Sequence, residues 1–541
     1  MLKEFGRFLV IMYLILAGLS QTVRAEDKKA STDCDPYTKY SCLDDYLGRD
    51  FFSRLGNYYY LEGGHAGPPA DPNAPPSSRP GWPATPQSTP PMPFTEWPYG
   101  GTETMGVNRP ASIDSPLMVA LGNTSLGKWM ADNHLQFYGW INAGFNISSN
   151  SQRNGGNSPI AYTYYPNTTQ LDQIVTYFER TPDTVQTDHV DWGFRLSGIY
   201  GQNYRYTTSY GIASYQLLTD NAINGYDFPM EYLELYIPKV GQGLLLRLGR
   251  FISIPDIEAQ LAPNNYMYTH SMTYSWDNYT NEGLAATLAV NKNLLLQVSI
   301  SCGTEATCWN MWKQENNPNP NPLFPNSTFP VDPGDKPSIA VCARMTWNDG
   351  HDNFYPCMDS WNSGDWGYNN LQWAGFTYYH KFNDQWHISY ELYDLHQNNV
   401  ININNPAMAS IYATGGTPFS PPYITFNAPN GAQCDDPNVM TCTAEAIGTV
   451  AYLNYQFSPL DNISFRPEYY DDMQGQRTGV KTAYVNFGIG WQHWTSPQLE
   501  FRPEIDFDHS INTEAFNGSP TGHAPNRNYT LMFAMDMIAH F

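Results

Sequence analysis

In Asn528-Tyr-Thr-Leu-Met-Phe-Ala-Met-Asp-Met-Ile-Ala-His-Phe541 every second residue is apolar. Tyr529, Leu531, Phe533, Met535, Met537, Ala539 and Phe541 share one parity, while Thr530, Asp536 and His540 lie on the other. A period of two belongs to a strand with one dry face. The dry side suits contact with lipid or a second sheet, and the other side tolerates water. A membrane barrel and a soluble sandwich both remain open on this stretch alone.

Composition narrows the choice. The chain has 541 residues, of which only 15% are charged, against a typical ~25%. Tyr (39) outnumbers Phe (26) and Trp (15). Such an excess suits rings at a membrane–water boundary or a sugar-binding surface. A mean hydropathy of -0.47 excludes a polytopic helical membrane protein. It leaves room for a barrel, where alternate residues alone face lipid. The net charge of -23 argues against nucleic acid as a partner.

The one long apolar run is Phe8–Leu19, preceded by Lys3 and Arg7 and followed by Val23-Arg-Ala25. It is too short to span a bilayer as a helix and predicts a signal peptide over 1–25, hence export. Eight cysteines suit that compartment. They fall into close couples: Cys34 with Cys42, Cys302 with Cys308, Cys342 with Cys357, and Cys434 with Cys442. Local disulfides are the simplest expectation, although spacing alone does not fix connectivity.

Residues 26–133 read as an N-terminal extension. Residues 66–99 are proline-rich, and 115–133 has helical spacing, one short helix or two, as an inward plug, a periplasmic cap or an ordinary packing helix. From His134 to Phe541, strand runs recur: 134–147, 190–201, 203–218, 229–239, 243–253, 280–290, 293–302, 338–348, 367–380, 384–396, 445–458, 461–472, 480–494, 497–508 and 528–541. Tight connections, as at Gly201-Gln202 and Pro459–Asn462, alternate with long ones over 148–189, 254–279, 303–337, 397–444 and 509–527. Short turns on one rim and long loops on the other predict an all-β, antiparallel transmembrane barrel over 134–541. Its strand number is even. It is fourteen if 338–348 is left out, and sixteen, the favoured figure, if that run pairs with 352–359.

No catalytic signature appears, so an enzyme is not expected, nor is a cofactor or a metal. Asp220 to Glu231 loosely follows a calcium loop, but Ala222 stands at a ligand position, and a turn between strands fits better. More telling are charges on inward parity. Phe465-Arg-Pro-Glu468 and Phe501-Arg-Pro-Glu504 echo each other. With Phe and Pro outward, Arg466, Glu468, Arg502, Glu504 and Asp506 face the lumen. Arg195, Glu234, Arg247 and Glu391 share that parity on their own strands. A charge facing lipid costs ~2–4 kcal/mol at mid-depth. All nine are candidate pore-lining residues. They either shape the field on a solute or brace the wall as salt bridges.

Arg247-Leu-Gly-Arg-Phe-Ile-Ser-Ile-Pro-Asp256 and Ala262-Pro-Asn-Asn-Tyr-Met-Tyr-Thr-His-Ser271 resemble the β-barrel porin family of OmpL-like outer-membrane proteins. Asp188-His-Val-Asp-Trp-Gly-Phe-Arg195 and Gly225-Tyr-Asp-Phe-Pro-Met-Glu231 resemble it too. The resemblance implies a barrel in a bacterial outer membrane, with lipid around it and Phe541 read as its insertion signal. The expected function is a passive channel for small hydrophilic solutes, in an assembly that the porin reading allows to be a homo-trimer. The alternative is a surface protein that binds sugars or cells through long aromatic loops, the barrel being its anchor.

Overall fold

In a computed structural model, the protein is described over residues 34–541 apart from 75, 77, 83–104, 106–114, 152–155, 210–211, 219–221, 253–255, 310, 312–335, 367–369, 414–430 and 519–523. The expected signal peptide and most of the proline-rich stretch lie outside the described residues.

The wall begins with β1 (Leu135–Ser148), β2 (Thr169–Arg180), β3 (Asp191–Gly201), β4 (Gly225–Asp227), β5 (Glu231–Ile237) and β6 (Leu244–Ile252). It continues through β7 (Thr280–Asn291), β8 (Leu294–Thr304), β9 (Ser338–Trp347), β10 (Asp352–Trp361), β11 (Gln372–Lys381) and β12 (Trp386–Ile401). The last members are β13 (Thr441–Ser458), β14 (Asp461–Asp472), β15 (Thr482–Ser496), β16 (Leu499–Ser510) and β17 (Tyr529–His540). Sequential strands pair antiparallel, and β17 returns to β1, which closes the sheet. β4 and β5 both pair with β3 and share one wall position, so the barrel has sixteen strands. Closure leaves no open edge in lipid. Phe541 completes the seam: its N–H donates to the Gly139 carbonyl (2.9 Å), and the Gly139 N–H donates to its carbonyl (3.2 Å).

Alternation sorts the wall as the sequence pattern requires. On β16 and β17, Ile505 and Leu531 point outward and are exposed, while Arg502, Glu504, Thr530 and Asp536 point inward and are buried. Phe465 of β14 is likewise outward, and Arg466 beside it is inward.

Two strand assignments are corrected. The described residues of 203–218 form no strand: Tyr204–Thr207 and Tyr215–Leu218 are short helices on the long-loop rim. Tyr204 and Tyr206 are spaced as in a strand, but both are buried and donate to the carbonyls of Ala222 and Ala161. Gly201-Gln202 therefore opens a long loop instead of a tight turn. The missing wall member is β2, inside the expected loop 148–189. Its inward face carries Val175 and Tyr177, its outward face Ile174 and Phe178, so apolar residues on both sides hid the alternation. The partner of 338–348 is β10.

All four expected cysteine couples form disulfides, and they do so in different settings. Cys34 bonds Cys42, which is buried in the short 3₁₀ turn Tyr40–Cys42, so this bridge braces the start of the N-terminal residues. Cys302, near the end of β8, bonds Cys308, which is exposed in the loop beyond that strand. Cys434 is buried and bonds Cys442 at the start of β13, which ties the end of the β12–β13 loop to the wall. Cys342 bonds Cys357; they stand directly opposite on β9 and β10 and staple the wall itself.

The N-terminal residues gather at the short-turn rim. Helix Phe51–Glu62 is capped by Asp50, which accepts from the Ser53 N–H (2.9 Å). Helices Pro116–Leu121 and Ser125–Asp132 begin on Ser115 and Thr124, again with a side-chain cap. Val119 accepts from Arg54 (2.9 Å), and Met118 meets the start of β1 through the Phe137 N–H. Tyr59 donates to the His540 carbonyl, and the Gly64 N–H to that of Thr495 (2.8 Å). Further along, Arg79 donates to the Thr184 carbonyl (2.9 Å) in the β2–β3 turn.

This docking carries a pH dependence. Glu62 is fully buried at the rim, and burial pushes its carboxyl from 4.5 up to about 7, partly offset by Tyr58 and Gln498. Below pH 4.5 the acid is neutral whether docked or free, so nothing is lost. Between 4.5 and about 7 the free acid ionises while the docked one stays neutral, so docking weakens as pH rises. Above that window the full penalty applies, on the order of 3 kcal/mol. Limited proteolysis between helix and barrel is expected to be faster at about pH 8 than at about pH 4.5. Glu62→Gln removes the difference; an unchanged difference in that variant shows that another group controls it.

Candidate functional site, a loop pinned inside the barrel

Between β6 and β7 the chain turns inward. Every residue from Asp256 to Tyr279 is buried. The stretch is polar, and a polar loop normally runs over the surface because its backbone groups need partners. Here inward side chains of the wall supply them. Glu504 accepts from the N–H groups of Tyr268 (2.9 Å) and Thr269 (2.8 Å). Arg466 donates to the Thr269 carbonyl (2.7 Å) and to Asp506 (3.0 Å). Arg502 donates to the carbonyls of Ala262 (2.7 Å) and Asn265 (2.8 Å) and to Asp536 (3.0 Å). Glu468 takes both the N–H (2.6 Å) and the hydroxyl (2.7 Å) of Thr273, and Glu391 takes the Ile257 N–H (2.9 Å). The two Phe-Arg-Pro-Glu echoes are thus two clamps: Arg466 and Arg502 hold one and two loop carbonyls, and Glu468 and Glu504 hold one and two loop N–H groups.

The loop also braces itself. Asn265 accepts from the Ala259 N–H (2.8 Å) and donates to the Ala259 (2.7 Å) and Leu261 (3.0 Å) carbonyls. Glu258 accepts from the Tyr452 hydroxyl (2.6 Å) and the Ser271 N–H (3.1 Å). His270 stacks on Tyr162 with ring centroids 3.6 Å apart, and Tyr162 stacks on Tyr206 at 4.2 Å.

The other three wall charges meet one another or their neighbours. Arg195 donates to Glu179 (2.7 Å), and its guanidinium lies over Tyr177. Arg247 donates to Glu234 (3.0 Å) and lies 4.1 Å from the ring centre of Tyr232. All nine candidates face inward, and their exposures run only from 0% to 6%, so at their level they touch protein groups more than open water. The loosely calcium-like stretch resolves otherwise: Asp227 is in β4 and pairs with Arg250 (3.1 Å), while Asp220 lies outside the described residues.

One cluster has no counterpart in the sequence reading. Asp256, Asp277 and Glu391 each bring a carboxylate oxygen within 4.8 Å of the others. The Trp373 indole donates to Asp277 (2.9 Å). Among the described residues, no N–H or hydroxyl donates to either oxygen of Asp256 or to Oε1 of Glu391. The three come from the two ends of the loop and from β12, more than a hundred residues further along, so no spacing could disclose them.

The family model described as "Putative beta-barrel porin-2, OmpL-like" matches residues 134–541. The chain belongs to the OmpL-like porin family. Such a barrel sits in the bacterial outer membrane, which puts Ile505, Leu531 and their outward neighbours in lipid. Among solved structures, an anion-selective porin from Comamonas acidovorans is similar, with 9% identity, 75% of this chain and 99% of that one covered, and a TM-score of 0.45. The outer-membrane channel DcaP of Acinetobacter baumannii is similar at 8% identity, with 75% and 97% covered and a TM-score of 0.43. OmpT, an outer-membrane protein of Vibrio cholerae, matches at 8% identity over 75% and 97%, with a TM-score of 0.40. No curated protein matches this chain. In this OmpL-like porin, the stretch 247–271 that carries the family resemblance is the end of β6 and most of the inward loop.

Proposed function

We propose that this porin is a narrow passive channel for small hydrophilic solutes, with residues 256–279 as its constriction and no covalent chemistry. The observation that supports this reading is the set of clamps: Arg466, Glu468, Arg502, Glu504 and Glu391 fix the loop backbone across the lumen. A solute has to pass what the loop leaves open, so loop and wall charges together set its size and sign. Phe541, at the seam on the short-turn rim, keeps its proposed part as the insertion signal.

A second reading draws on the same burial. If the packed loop leaves no path, the barrel is an anchor, and its long external loops bind sugars or another cell. Purified, heat-modifiable protein in a planar bilayer separates the two. Stepwise, ohmic conductance of small amplitude is expected. Folded protein without any conductance sinks the channel and leaves the anchor.

A further inference from the structure

We propose that Asp256, Asp277 and Glu391 bind one hard divalent cation, calcium by preference, which clasps the inward loop to β12. Their exposures are 1%, 0% and 1%, so water screens none of them. Like charges this close repel strongly where water does not screen them, and here three carboxylates meet. Arg477 lies on this side and donates to the carbonyls of Trp276 (2.8 Å) and Asp277 (3.2 Å). Asp359 adds further negative charge close by, its oxygens taken by Asn278 (3.1 Å) and the Ser360 N–H (2.8 Å).

Among the described residues, three oxygens accept from no N–H or hydroxyl: both of Asp256 and Oε1 of Glu391. A buried charge in that state is costly unless something pairs with it. A cation supplies what hydrogen bonds do not. The donor set is all oxygen, without His or Cys, which suits magnesium or calcium over zinc or copper. Calcium accepts irregular oxygen cages, whereas magnesium keeps several waters in strict octahedral order, and a fully buried cluster has little space for them. The placement gives the ion a task. Asp256 lies just after β6 and Asp277 just before β7, so one ion joins both ends of the loop to the wall.

The test uses the full-length folded protein in detergent, stripped with EDTA and dialysed against calcium at ~0.15 M salt to suppress binding by the acidic surface. Mass-spectrometric metal analysis is expected to find one calcium ion per chain more in wild type than in the double variant Asp256→Asn, Glu391→Gln. Terbium luminescence, excited through Trp373 beside Asp277, is expected in wild type alone and is displaced by calcium, with magnesium about tenfold weaker. The amides also relieve the repulsion, so in EDTA the variant melts above wild type, and calcium raises the melting temperature of wild type alone. Equal calcium in both proteins, or a wild-type melt indifferent to calcium and EDTA, overturns the site. Magnesium binding as tight as calcium overturns the calcium preference.

Discussion

Replacing residues 257–276 by a short glycine–serine linker raises single-channel conductance on the order of tenfold. A barrel of sixteen strands is wide enough for an aqueous channel once nothing fills it. In this protein the filling includes the loop, buried from Asp256 to Tyr279, with Tyr162 and Tyr206 packed against it. The wall does not depend on it, because each strand hydrogen-bonds its neighbours and β17 closes on β1 without the loop. The charges left behind by the deletion, such as Glu504 and Arg502, are not stranded. Water enters the widened lumen and solvates them, so the variant folds and heat modifiability is retained. Planar-bilayer recordings of both proteins at the same salt make the comparison. Equal conductance would mean that the constriction lies elsewhere, for instance at the N-terminal residues on the short-turn rim.

Arg502→Ala lowers the stability of the folded barrel by about 3–5 kcal/mol, among the largest single-residue effects in the molecule. The guanidinium serves three acceptors at once: Asp536 and the carbonyls of Ala262 and Asn265. Its loss leaves Asp536 as a buried charge without its cation and two loop carbonyls without donors. Arg502→Lys restores the charge but not the planar fork, so it recovers part of the loss. Gel-shift unfolding in urea reads the stability, and current noise in single-channel records reads release of the loop. A change below about 1 kcal/mol in the alanine variant, the value of an ordinary exposed pair, would mean that the loop is held mainly by its own contacts.

The wall was legible because a strand crossing lipid obeys one simple rule. Outward Phe465, Phe501, Pro467 and Pro503 and inward Arg466, Glu468, Arg502 and Glu504 could be sorted from parity alone. The cysteine couples were legible because their partners are close in sequence: Cys42, Cys308 and Cys442 each follow their partners within eight positions. β2 was not, since Val175 and Tyr177 on its inward face are as apolar as the lipid face; they pack in the lumen-side cluster with Trp140 and Ile538. The inward loop was not legible either. Nothing local distinguishes a polar loop in water from one in a lumen; the difference lies in Glu504 and Glu468, 236 and 195 positions away from Tyr268 and Thr273. Both halves of the clamp stand in the sequence, and no local pattern joins them.

Those separations bear on the order of assembly. The partners of the loop lie on β12, β14 and β16, which leave the ribosome long after the loop itself. A contact across some two hundred residues carries a loop-closure entropy that only the formed wall can offset. While the C-terminal strands are still unpaired, residues 256–279 have nothing to bind and stay hydrated. The lumen therefore dries late, once β12, β14 and β16 are in place. An insertion intermediate halted before those strands pair is expected to keep a wet interior, with residues 256–279 unclamped.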